Sequence, residues 1–375
     1  MNNKREGFTL IELLVAVAIF VIVIGIPYKM FISELKVTLQ ENSKARTEME
    51  SVPSVEVLRK DIEMAGYGLP WDLGGLTYSE TMTGNFPLYS ENLKASLFND
   101  APNNPPRAIV GKKDNGENGF SYLVLKGTIF GLNKASVHWT YIDKNNNLNI
   151  WPVNDISNYN NIQSGDRVVI LSADGRRKLT ANGSNVYFQV AKNADPSDNN
   201  PLSYGLPYLK QSVYLIYGVD TDNIRAPFNR IDYFLYDSSQ MPIDCAEGTH
   251  ILERVIMNQS NGDVEARYPL LHCVADFQVG FGLDTNEDGV IDKWTQDLTS
   301  KTSEDIRKQL KQVRVYILLQ SGKKDNSYKY PNNTIYVGDL ALGIGRSFDL
   351  FSNIKDYQHY RWKLIKLVVI PRNLE

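Results

Sequence analysis

From Phe8 to Ile26 the chain is almost unbrokenly apolar, and the polar exceptions are Thr9 and Glu12. As a helix this stretch would reach about 28 Å, at a rise of ~1.5 Å per residue. That is close to the ~30 Å hydrocarbon core of a bilayer. Lys4 and Arg5 stand just before it. Positive charge flanking the first apolar span keeps that end in the cytoplasm. The short start is therefore expected inside, and the long remainder exported.

After Ile26 the pattern turns periodic. Tyr28, Phe31, Leu35 and Leu39 form one stripe, and Met49, Val52, Val55, Leu58, Ile62 and Ala65 a second. Spacings of three and four predict an amphipathic continuation of the same helix. Pro27 should kink it and Pro53 bend it again. Gly66 or Gly68 should end it, with Pro70 beyond. A rod that is lipid-like first and amphipathic afterwards fits a stalk whose far half packs on a globular head. An anchor helix joined to an independent helix is the alternative.

Residues 68–118 are rich in turn formers, and Asn99 to Pro106 reads as a surface loop with little to bury. Strands are expected at Phe120–Leu125, Ala135–Ile142, Arg167–Ser172, Val186–Val190, Val213–Val219 and Ile231–Tyr236. The later ones are cleaner. Ala275, Phe277, Val279, Phe281 and Leu283 alternate with Asp276, Gln278, Gly280 and Gly282. Val313, Val315, Ile317 and Leu319 alternate in the same way. This period of two predicts a half-buried antiparallel sheet. Ser303–Leu310 is a helix candidate, and Tyr360–Ile370 a last strand. The fold class is α+β: a long N-terminal helix packed on an antiparallel head. One sheet or two remains open at this level.

Three readings compete for the first stretch. A cleaved secretory signal would end near Ala16-Val17-Ala18, yet the apolar run continues past that site. A plain single-span anchor leaves Glu12 unexplained, because an acid at that depth costs on the order of 2.5–3.5 kcal/mol. The string Gly7-Phe8-Thr9-Leu10-Ile11-Glu12 after a short basic leader accounts for the acid. It resembles the class III signal of type IV prepilins and pseudopilins. The resemblance implies that prepilin peptidase cuts between Gly7 and Phe8 and methylates the new amine of Phe8. It also implies that Glu12 acts in assembly by pairing with the amine of a neighbouring subunit. Leu58 to Gly68, the run from Cys273 through Gly282, and the Pro371-Arg372-Asn373 ending resemble PilW-like minor pilins. Domains are then a leader at 1–7, a transmembrane and stalk helix at 8–66, and an exported β-rich head at 67–375.

Composition narrows the rest. The 375 residues are 42% hydrophobic, enough for a sizeable core in one large domain or two small ones. A net charge of −3 gives no support for a nucleic-acid partner. The two cysteines, Cys245 and Cys273, suit a disulfide in an exported domain. Closing a loop of that size contributes roughly 3.5 kcal/mol in the chain-entropy model. Two separate buried thiols are the alternative. His-Glu-x-x-His, Gly-x-Ser-x-Gly and phosphate-loop signatures are all absent from the sequence.

One further stretch carries chemistry. Counting Asp284 as position 1, oxygen ligands fall at Asp284, Asn286, Asp288 and Asp292. Gly289 stands at position 6, and Val290 offers its carbonyl at position 7. That spacing wraps oxygens around Ca²⁺. Thr295 replaces the usual bidentate acid at position 12, so a weaker site is expected. A solvated acidic turn is the alternative.

The resemblance implies a minor pilin that helps to initiate pilus assembly at or near the fibre tip. Its partners would be prepilin peptidase, other minor pilins and the major pilin. Its place would be the inner membrane first and the fibre afterwards. A J-type pseudopilin of a type II secretion system shares the same signals. A pilus-displayed adhesin using the Tyr- and Asn-rich inserts is the rival from another class.

Overall fold

The computed structural model describes residues 9–80, 93–114, 119–152, 159–191, 198–222, 224–237 and 241–374. Its first element is one helix of 55 residues, α1 (Leu10–Met64), which runs through Pro27 and Pro53 without ending. Ala65 leaves the helical conformation, and Gly66 and Gly68 follow at φ +91° and +69°. Side chains rarely adopt such angles, so the glycines turn the chain there.

Fourteen strands are described: β1 (Ile109–Lys113), β2 (Ser121–Lys126), β3 (Trp139–Ile142), β4 (Arg167–Ser172), β5 (Phe188–Gln189), β6 (Tyr214–Asp220) and β7 (Arg230–Tyr236). There follow β8 (His250–Met257), β9 (Val264–Leu283), β10 (Lys293–Thr295), β11 (Leu310–Ser321), β12 (Thr334–Asp339), β13 (Ile344–Asp349) and β14 (Arg361–Val369). Helices α2 (Ser303–Gln309) and α3 (Leu350–Asn353) lie among the later strands. The main sheet has eight strands in the order β1-β2-β7-β8-β9-β11-β14, with β10 on β9. A second sheet has the order β3-β6-β4-β5, and β12-β13 is a separate hairpin. All the pairings within these sheets are antiparallel. The architecture is an α+β, pilin-like fold, and the question of one sheet or two resolves into three.

The core explains the stalk. Leu58, Ile62 and Ala65 are fully buried against one face of the main sheet, with Phe277, Phe281, Val313 and Val315. Met49 and Val52, expected on the same stripe, are 76% and 68% exposed. The head covers only the last turns of that stripe.

Several expectations need correction. The main sheet is not half-buried. Asp276 and Gln278, on the supposed solvent face of β9, are fully buried. The β12-β13 hairpin lies over that face, with Ala275, Leu318, Val337 and Ile344 in a second core. Gly280 makes the approach close: a Cβ there would stand 2.4 Å from Ile344 Cδ1. Its place in the alternation reflects packing and not solvent. The alternation also breaks at Ala275. Leu318 pairs with Asp276 but Leu319 with Val274, so Ala275 is an extra residue of a bulge and joins the second core.

Ala135–Ile142 is a strand only from Trp139, because Lys134–Val137 is a 3₁₀ turn capped by Asn133. Strand β5 keeps only two residues of Val186–Val190. Strand β1 lies inside the turn-rich stretch, and β8, β10, β12 and β13 form in segments for which the sequence pattern predicts no strand. The Asn99–Pro106 loop exposes its middle but is pinned at its ends. Lys126, 1% exposed, meets Glu80 and Asp100 at 2.6 Å each, and Arg107 meets Asp100 at 2.5 Å. Burial raises the Asp100 pKa, but Lys126 and Arg107 outweigh it and hold the carboxyl below its usual range.

Candidate functional site

The stalk begins with a cap built from its two polar exceptions. Thr9 is the N-cap of α1, and its hydroxyl accepts from the Glu12 amide at 3.3 Å. The Glu12 carboxylate accepts in return from the Thr9 amide and hydroxyl, each at 2.9 Å. This reciprocal box satisfies two of the unpaired donors of a helix start, and the acid also suits the positive end of the helix dipole. In the single chain, then, Glu12 has a local partner. Gly7 and Phe8, the expected cleavage pair, lie outside the described residues. Every described side chain from Leu10 to Ile24 is exposed, among them Phe20 and Ile22 at 64% each. By length and composition this segment can cross a membrane.

The opposite end of the helix is locked to the head by a charge. Asp61 lies on the buried stripe, and its carboxylate takes Arg254 Nε of β8 at 2.6 Å and the Tyr233 hydroxyl of β7 at 2.5 Å. Burial, and then the Asp61 charge, push the fully buried Tyr233 hydroxyl well above its ordinary pKa. The Gly66 amide then donates to the Lys126 carbonyl, which ties the helix end to β2. Asp61 was not singled out from the sequence. Its signal was a lone acid between Leu58 and Ile62 on an apolar stripe.

Lower on the stalk the contacts are polar. Ser54 Oγ donates to the Leu270 carbonyl at 2.6 Å, the Gly322 amide donates to Thr47 Oγ1, and Gln40 donates to Asp325. Beside them, Cys245 and Cys273 form a disulfide with a Cα separation of 5.0 Å. It ties the loop before β8 to the middle of β9.

The acidic loop is a tight turn between β9 and β10. Asp284 is 1% exposed, and its carboxylate accepts from the amides of Asp288 at 3.1 Å and Gly289 at 2.8 Å. Asp288 accepts from the Val290 amide and from the Asn286 side chain. Asp292 accepts from Thr285. Thr295 stands in β10, and its hydroxyl donates to the Asp297 carbonyl. The all-oxygen donor set suits a hard cation. Among the described residues no three acidic, His or Cys groups gather into a metal cluster, so such a site would lean on Asn286 and the Val290 carbonyl as well. Arg307, Lys308 and Lys311 line the same hollow as Asp284, Glu287 and Asp288. Part of the charge balance that the carboxylates need is thus supplied by α2 and β11.

Two family models match the chain. Residues 2–26 match the prokaryotic N-terminal methylation motif. Residues 233–373 match the type IV pilus-assembly protein W family. The second match covers the latter part of β7, from Tyr233, and the strands from β8 to β14, which form the larger part of the main sheet and its hairpin. The β3-β6-β4-β5 sheet lies outside it. No curated protein and no solved structure matches. The two matches support a type IV minor-pilin-like protein with a motif for peptidase processing, and its N-terminal helix is long and apolar enough to cross a membrane.

Proposed function

We propose that this minor-pilin-like chain helps to start fibre assembly at or near the tip of a type IV pilus. The observation that carries the reading is the contrast along α1. From Leu10 to Ile24 its side chains are apolar except for one acid, Glu12, and every one of them is uncovered by its own head. In the membrane that face is covered by lipid; in a fibre it would be covered by the helices of other pilins. Once the leader is cut after Gly7, the methylated amine of Phe8 belongs to the helix start. Glu12 would exchange its bonds to Thr9 for the amine of a neighbouring subunit. Desolvated opposite charges attract far more strongly in a bundle interior than in water. The short basic start would lie on the cytoplasmic side, and the head outside the inner membrane. Calcium on the Asp284–Asp292 loop is part of the same proposal, as a stabiliser of the head with no catalytic role.

The test is a strain that carries Glu12→Ala in place of the wild-type gene. The variant should be cut after Gly7 and keep its head fold and disulfide, yet enter sheared fibres poorly and lower the fibre count. Normal incorporation and normal fibre numbers would refute the role of Glu12. Deleting the gene separates the rival: lost fibres support initiation, whereas normal fibres with lost attachment support an adhesin.

A further inference from the structure

At the end of the head remote from the apolar half of α1, a cavity of about 220 Å³ opens beside Trp71. It lies between the loop after α1, the turn at Arg176 and the helix α2. The two loops are fastened to each other by their backbones. The Trp71 amide donates to the Arg177 carbonyl at 3.2 Å, and the Leu179 amide to the Asp72 carbonyl at 2.9 Å. Arg177 holds φ +40°, a region that a residue with a Cβ seldom occupies. Such angles persist where surrounding structure enforces them, and they cluster at ligand sites. In this conformation the Arg177 guanidinium stands 4.6 Å from the Trp71 ring centre. The Arg307 guanidinium, from α2, stands 4.1 Å from the same ring. Arg176, Arg307 and Ser303 all line the cavity.

The cations around this cavity lack the direct carboxylate contacts that many others in the chain make: Arg254 with Asp61, Arg346 with Asp276, Lys324 with Asp356, Lys355 with Glu247 and Lys363 with Glu48. Arg176, Arg177 and Arg307 have no such partner among the described residues. The two acids in the cavity wall make their direct bonds to other groups: Glu304 pairs with Lys308 at 2.7 Å, and Asp72 accepts from the Gly74 amide at 2.7 Å. Asp174, next to the lining Gly175, accepts from Ser172 and from the Arg176 amide. The Arg307 and Arg176 charges act on Glu304 and Asp174 through space, without a direct contact. Three guanidinium groups without a direct carboxylate contact thus stand around Trp71, on a chain of net charge −3. Two of them share one indole, a contact that does not consume guanidinium N–H donors on a carboxylate.

We infer that this cavity binds an oxyanion of the phosphate or carboxylate class, gripped by the N–H edges of Arg307 and Arg176. A guanidinium fork matches two oxygens of such a group, and charge-assisted bonds of this kind are the strong ones. The Trp71 ring would act as a positioning surface that holds the Arg307 plane and keeps water off one side. This reading is independent of the pilus proposal.

Inorganic phosphate is the probe, with the full chain in neutral detergent micelles. The phosphorus-31 line of phosphate should broaden saturably in the millimolar range. Acetate should reverse the broadening, and chloride at equal ionic strength should not. Arg176→Gln with Arg307→Gln should weaken binding at least about tenfold, the loss of one or two charge-assisted bonds. Arg307→Lys, which keeps the charge but loses the fork, should fall between. Lys355→Gln, a surface control, should bind as wild type. No broadening by wild type, equal broadening by the double variant, or full reversal by chloride would overturn the inference. The competition arm uses wild type alone, so it decides even where the double variant folds poorly.

Discussion

The two halves of α1 share one backbone and meet opposite surroundings. From Leu10 to Ile24 every described side chain is exposed, whereas Leu58, Ile62 and Ala65 are buried completely. The apolar content of the first half exceeds that of the second, so hydrophobicity alone does not decide which part the head covers. Periodicity does. A helix that is apolar all round has no face to offer to one sheet, and it fits lipid or a bundle of like helices. A stripe at threes and fours offers one face, and the sheet takes it. In water each uncovered Leu, Ile or Phe forgoes about 1.5–3 kcal/mol of burial. The first half is therefore built to be covered by something other than its own chain.

The contrast can be broken at several points. The largest effect is expected at Asp61. Removing the acid strands Arg254 and Tyr233 at the interface, and breaking a buried pair costs about 3–5 kcal/mol. Asp61→Ala should lower the melting temperature of the full chain in detergent by many degrees and expose α1 beyond residue 40 to protease. An unchanged cleavage pattern would show that apolar packing alone holds the stalk.

Next come paired truncations on the two kinds of surface. Leu58→Ala opens a cavity under the stalk and should cost about 2–5 kcal/mol. Val52→Ala, on a residue 68% exposed, should stay within about 0.5 kcal/mol. Chemical denaturation in micelles reads both, and equal losses would erase the distinction drawn along the helix.

A smaller effect is expected from pH. Strand β2 receives the helix end at its last residue, Lys126, whose side chain, with Arg107, outweighs burial and holds the Asp100 carboxyl below its ordinary 3.8. A depressed carboxyl contributes stability above that ordinary value and loses it as pH falls through the folded value. Wild type should therefore lose stability below about pH 4, and Asp100→Asn should start lower and show a flatter acid limb. Burial raises the Asp276 pKa despite its Arg346 partner, and that group acts with the opposite sign. Parallel acid limbs in wild type and Asp100→Asn would remove Asp100 from the account.

The smallest effect concerns the acidic loop at the end of β9, the strand on which the stalk rests. If calcium binds only to the native head, millimolar Ca²⁺ against EGTA should raise the melting temperature by a few degrees. Stabilisation grows as RT ln(1 + [L]/Kd), about 2.7 kcal/mol at a hundredfold excess. Asp284→Ala with Asp288→Ala should gain nothing. Equal melting of wild type in both buffers would leave the turn balanced by the cations of α2 and β11.

The sequence by itself determined what depends on near neighbours. The apolar span, its single acid, the Gly66 exit, the alternation in β11 and the processing string can all be read within a few residues. Local backbone geometry sets those periods. It also limited the inserts to turns and short strands, where the signal is weak. Tertiary structure alone decided which surfaces are covered. Asp61 and Arg254 lie 193 residues apart in sequence, and Asp276 and Arg346 lie 70 apart. Neither pair has a local mark beyond one charge in an apolar setting. The hairpin over Gln278, the bulge at Ala275 and the arginines around Trp71 likewise exist only because distant segments meet. Alternation tells which residues share a face of a strand, but only the path of the whole chain determines what lies against that face.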